Sequence, residues 1–256
     1  HIEGNVFAGI HKDAFNSSTG DSNAISAGVW AVTARTVGLY QYLDARYGIA
    51  AKRLTDLERV AGRSARSYEN GAASIRLGGK SVALILGTSN SGGTGWLVQC
   101  ATSSTRTAPK CVPLVKSSTL LHGLNLRPAQ PIATLPCGAT KRQVILIPHE
   151  GGVVAVTRGA SGSWSPRLVS VPGVGSASVV ELASGKFQNN STQQVAVLAA
   201  SGQVSTAVAD ASCHLTFSVP RAAGARSIAS IAASANASSD ALMGIVGADV
   251  QRISVG

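Results

Sequence analysis

The chain has 256 residues, a formal net charge of +10 and 45% hydrophobic residues, with only 13% charged and 4% aromatic. That length suits one large all-β domain or two small ones, and the composition excludes intrinsic disorder, because burial can offset the entropy of ordering. No run of about 18 apolar residues occurs, which excludes a membrane-spanning helix.

The opening His1-Ile2-Glu3-Gly4 resembles a tag and protease-site remnant and is set aside. With neither an initiator Met nor a signal peptide, a mature or trimmed domain is expected. Residues 5–35 form a Gly/Ser/Asn-rich loop ending in "AISAGVWAVTA", Ala24 to Ala34, which reads as one strand. Over 36–70 the period changes. Val37, Tyr40, Leu43 and Tyr47 fall three or four apart, Gly48 suits a left-handed cap, and Leu54, Leu57 and Ala61 repeat the spacing up to Gly62. The pattern predicts a short two-helix insertion near the N-terminus.

Residues 35–80 carry nine basic and four acidic side chains. A helix, a glycine turn and a basic helix could hold DNA phosphates. Packing of Leu54, Leu57 and Val60 on a β domain explains the same pattern and is preferred, because the acidic residues interleave. Tyr40 and Tyr42, with Arg53, are candidates for a contact surface, since tyrosine and arginine dominate binding patches.

From residue 71 to 256 apolar runs alternate with turn clusters. The runs "SVALILG" from Ser81, "QVILIP" from Gln143, "QVAVLAA" from Gln194 and "ALMGIVG" from Ala241 start 62, 51 and 47 residues apart. Each leads into a glycine reversal, and after the first three comes a second strand-like segment. Runs containing Trp164 and Phe217 then precede a proline in two of the units. The pattern predicts a mainly β fold of degenerate ~50-residue repeats, propeller-like, within a single compact domain.

The stretch "ELASGKFQNNSTQQVAVLAASGQVSTAVADASCHLTFSVP", Glu181 to Pro220, resembles an FG-GAP or VCBS repeat of integrin-like β-propellers. Gly185, Phe187, Asn189 and the run from Val195 carry the resemblance, which implies adhesion or ligand display. Lys186, Asn190 and Gln193 stand where that family often has aspartates, so no calcium, and no other cofactor or metal, is expected.

Four cysteines, Cys100, Cys111, Cys137 and Cys213, form no C-x-x-C pair, which argues against zinc and for two disulfides. Cys100 and Cys111 bracket a polar loop and suit a hairpin-closing bridge, leaving Cys137 with Cys213. Three connectivities stay open. Sequons at Asn16, Asn189, Asn190 and Asn236 are compatible with secretion. An extracellular, cell-surface or periplasmic location is therefore expected.

Catalytic patterns are sparse. "GTSNSGGTGWLV", Gly87 to Val98, resembles a trypsin-like serine loop centred on Ser91, but a plain Ser-Gly hairpin accounts for it better. His149-Glu150 and His214 stand beside turns, and no carboxylate pair stands out. No catalytic residue is assigned. Trp96 and Trp164 follow turns in successive units and could offer flat faces to sugars, or plug the packing between sheets. The expected function is a binding module for a glycan or protein partner, with the charge favouring acidic ligands. An extracellular hydrolase on a β scaffold is the first alternative. Nucleic acid, bound through the basic pair, is the least favoured partner.

Overall fold

A computed structural model describes residues 6–7, 28–32, 36–42, 49–51, 55–56, 65–77, 80–89, 94–101, 108–121, 132–173, 178–187, 192–222, 228–234 and 240–254. Among them the fold is mainly β, built of antiparallel sheets. The chain gathers into two compact units, His1–Gly123 and Leu124–Gly256.

In the first unit, β1 (Val6–Phe7), β2 (Gly28–Val32), β3 (Thr36–Tyr42) and β4 (Ile49–Ala51) pair in chain order, and β5 (Thr55–Asp56) joins β3. A second sheet follows as a four-stranded meander of β6 (Ala65–Leu77), β7 (Lys80–Ser89), β8 (Gly95–Ala101) and β9 (Lys110–Ser117). Within the expected two-helix segment the described residues are thus strands, and the rest of 36–70 lies outside the described residues. Thr36, Val37, Tyr40 and Tyr42 are β-branched or aromatic types that favour extended backbone.

The second unit holds three sheets. The first is β10 (Ala133–Pro136), β11 (Gln143–His149), β12 (Gly152–Arg158) and β13 (Trp164–Val169). The next is β14 (Val179–Gly185), β15 (Gln194–Ala199), β16 (Val204–Ala209) and β17 (Leu215–Phe217), and the last is β18 (Ile228–Ser234), β19 (Ala241–Val246) and β20 (Asp249–Ile253). Strand order equals chain order in each. The four apolar runs of the sequence are β7, β11, β15 and β19, the second strand of their sheets.

Alternation along β15 explains why that strand is apolar throughout. Val195, Val197 and Ala199 pack with Leu135, Val144, Leu146 and Val153 of the preceding sheet. Ala196 and Leu198 point the other way, into a cluster with Ile228, Ile231, Leu242 and Val246 of the following sheet. A strand buried on both faces cannot show the usual polar alternation. Outward from it the burial fades: β16 keeps four buried residues before two half-buried ones, and β17 has none.

Both disulfides form in one of the open connectivities. Cys100–Cys111 joins directly opposed residues of β8 and β9. Cys137–Cys213 ties the β10–β11 turn to the β16–β17 turn across two sheets. Among the described residues, no helix is long and apolar enough to cross a membrane.

Candidate functional site

The β10–β11 turn, residues 137–142, and the β12–β13 turn, residues 159–163, lie at the same end of their sheet, because Val144 pairs with Thr157 and Arg158 with Trp164. Each turn is held by its own hydrogen bonds. The Cys137 N–H donates to the Arg142 carbonyl at 2.9 Å and the Thr140 hydroxyl to the Cys137 carbonyl at 2.6 Å. The Gly159 N–H donates to the Ser163 carbonyl at 2.8 Å, and Gly162 takes φ +85°.

These turns fix two guanidinium groups. Arg142 Nη2 donates to the Arg158 carbonyl at 3.4 Å, and Arg158 Nε donates to the Gly162 carbonyl at 3.1 Å. Arg158 lies across its turn so closely that a Cβ on Gly162 would sit 3.4 Å from Arg158 Nη2. Each arginine keeps further donors for a ligand, and with Lys141 both are exposed. Trp164 is half-buried and shares a sheet face with Arg158, its directly opposed partner.

The β16–β17 turn, residues 210–214, is drawn to the same rim by the Cys137–Cys213 bridge and by the Gly138 N–H, which donates to the Ala209 carbonyl at 3.0 Å. From β13, Arg167 Nη2 donates to the Cys213 carbonyl at 3.2 Å. Asp210 is the carboxylate that these three turns carry, and it is already engaged. Its Oδ1 accepts the Ser212 and His214 N–H groups, both at 2.8 Å, and its Oδ2 lies 3.3 Å from His214 Nδ1. The His214 N–H holds the Asp210 carboxyl below the ordinary aspartate value; slight desolvation opposes this, while the Ser212 N–H and the His214 ring add to it. The rim therefore presents cations beside an indole, with its one carboxylate turned to the backbone.

The other expected site residues fall elsewhere. Trp96 is the second residue of β8, is only 6% exposed, and has the Lys116 ammonium 5.8 Å from its ring centroid. It packs and carries a cation–π contact, so it offers no open face to a sugar. Tyr40 and Tyr42 belong to β3, while Arg53 and Ser91 lie outside the described residues. His149 ends β11, and its Nδ1–H donates to the Glu150 carbonyl. Among the described residues no group of three or more His, Cys, Asp or Glu could hold a metal ion.

Sequence reasoning passed over Lys141, Arg142 and Arg158. Their signal was there in the two turn clusters "GATKR" and "RGASGS", but only the register shows that they meet. No family model matches the chain, and no curated protein matches it.

Proposed function

We propose that this chain is an extracellular, propeller-like binding module that recognises an acidic glycan at the rim formed by Lys141, Arg142, Arg158 and Trp164. One observation carries the reading: two guanidinium groups tethered to backbone carbonyls stand beside a half-buried indole, with no free carboxylate in the adjoining turns. Guanidinium forks suit carboxylate and sulfate geometry, and tethering lowers the entropy lost on binding. The indole supplies an apolar face for a sugar ring. Successive four-stranded meanders stacked face to face support the blade-like arrangement, and the two disulfides support an oxidising compartment. Fold alone would not confer the function; the rim does.

The test is binding of the labelled chain to a glycan array with neutral, sialylated and sulfated members, at low and high salt. Acidic members should bind, and Arg158→Ala and Trp164→Ala should each weaken them about tenfold, or about 1.4 kcal/mol. Salt should weaken binding without removing it, because the indole contact is not screened. Silence at both salts, or variants that bind like the parent chain, would leave a protein ligand as the working reading.

A further inference from the structure

Away from that rim, the end of β14 meets β19 and β20 around a partly enclosed cavity of about 330 Å³, lined by Phe187, Asp240, Leu242, Arg252, Ile253 and Ser254. That volume falls at the small end of the roughly 300–1,000 Å³ of small-molecule sites. Its floor is rigid, because Phe187, Leu242 and Ile253 belong to the apolar cluster between the two sheets.

Asp240 is fixed from two sides. Its Oδ2 accepts the Lys186 N–H at 2.7 Å, and its own N–H donates to the Lys186 carbonyl at 2.9 Å. This close approach depends on Gly185, where a Cβ would lie 2.6 Å from the Phe187 ring and 3.1 Å from Asp240 Oδ2. Arg252 reaches the cavity from β20. Asp240 and Arg252 line the same cavity, and no ion pair joins these two described residues.

We propose that the cavity binds a small zwitterion of the free α-amino acid class. Its ammonium group meets the Asp240 carboxylate and its carboxylate meets the Arg252 fork. A sugar fits less well, because Phe187 is only 7% exposed and shows no open ring face. A polyanion is repelled by Asp240. The site shares no residue with the arginine–tryptophan rim and stands independently of its function.

The full chain is titrated calorimetrically with leucine, leucinamide and N-acetyl-leucine. Leucine should bind saturably, and each derivative, lacking one charge, should bind at least about tenfold more weakly. Arg252→Gln should abolish the preference for leucine over leucinamide. Asp240→Asn, whose amide oxygen can still accept the Lys186 N–H, should abolish the preference over N-acetyl-leucine. Ser254→Trp, at an exposed position of the lining, should remove binding without lowering the unfolding temperature. The proposal is overturned if leucine gives no saturable signal with the parent chain, if all three compounds bind alike, or if the charge variants keep the parent's preferences.

Discussion

Glu181 of β14 holds the backbone of the next sheet: its Oε2 accepts the Ile231 N–H at 2.8 Å, while its Oε1 accepts the Ser230 hydroxyl at 3.0 Å. Both ends of this link sit at irregularities, since the register of β14 on β15 shifts between Val179 and Glu181, and that of β18 on β19 between Ile228 and Ser230. A bulge turns a side chain or an N–H away from its own ladder, so the two irregularities free the groups that meet.

Glu181→Ala should therefore cost more than Ser230→Ala. The first leaves the buried Ile231 N–H without its acceptor, at about 1–3 kcal/mol, and adds the cavity cost of the lost side chain. Ser230→Ala removes one hydrogen bond, about 1 kcal/mol. Urea unfolding of the two variants measures the order, and equal losses would mean that the Ile231 bond contributes nothing.

Asp210 carries a pH dependence whose sign follows from its lowered pKa. A carboxyl group that is more acidic folded than unfolded contributes stability above its unfolded value, and that stability is lost as pH falls through its folded value. Its work is local: the bonds to Ser212 and His214 hold Cys213 at φ +66°, an uncommon conformation for a non-glycine residue. Asp210→Asn should lower the thermal midpoint at neutral pH. The gap to the parent chain should begin to narrow near the ordinary aspartate value of about 3.9 and close only at still lower pH, below the lowered folded value, where the parent's own carboxyl is protonated. A gap constant from neutral to acid pH would assign the effect to shape and not to charge.

The two disulfides close loops of different length, with sequence separations of 11 and 76 residues. On the chain-entropy account, losing Cys100–Cys111 costs about 3 kcal/mol and losing Cys137–Cys213 about 4 to 5 kcal/mol. The paired Cys→Ala variants, compared by denaturant unfolding, should keep that order. Loss of Cys137–Cys213 should also loosen the Arg142–Arg158 rim, because the bridge presses the 210–214 turn against it.

How far the sequence shows this fold depends on which strand is asked about. β7, β11 and β15 were legible because strands covered on both faces become unbroken apolar runs. β19, by contrast, is apolar although only alternate residues, Leu242, Gly244 and Val246, are buried and Ile245 is exposed. Thr36–Tyr42 is extended, although Val37 and Tyr40 stand three apart, a spacing that also fits one helical turn. The rim was hidden for a different reason. Arg142 and Arg158 are 16 residues apart, and only the pairing of Val144 with Thr157 brings their turns together. Trp164 stood out from the sequence. Trp96 stood out equally, yet composition does not tell a covered indole from an open one.

The β11–β12 hairpin offers a paired test at adjacent glycines. Gly151 takes φ +75°, and a Cβ there would meet nothing within 4 Å. Gly152 takes φ +153°, and a Cβ would lie 2.1 Å from the Val169 carbonyl oxygen of β13, by way of the adjoining ladder. Asn tolerates the left-handed region, so Gly151→Asn should change stability by less than about 1 kcal/mol. Gly152→Ala should cost about 3 kcal/mol or more, through both the clash and the backbone conformation. Equal effects would show that the conformation, and not the approach of β13, decides.

Val197 and Leu198 are adjacent in β15 yet belong to different clusters, Val197 with the sheet before and Leu198 with the sheet after. Leu198→Ala should cost about 2–5 kcal/mol, and Val197→Ala about 1–3 kcal/mol. Because the two side chains share no partner, the double variant should lose the sum to within about 0.5 kcal/mol, as independent sites do. A loss much smaller than the sum would mean that collapse of one face relaxes the other, so that the three sheets act as one deformable core. A loss equal to the sum would mean that β15 is a rigid partition, stabilising each neighbouring sheet separately. Rigidity of that kind is what would let a mutation in the last sheet leave the arginine–tryptophan rim undisturbed.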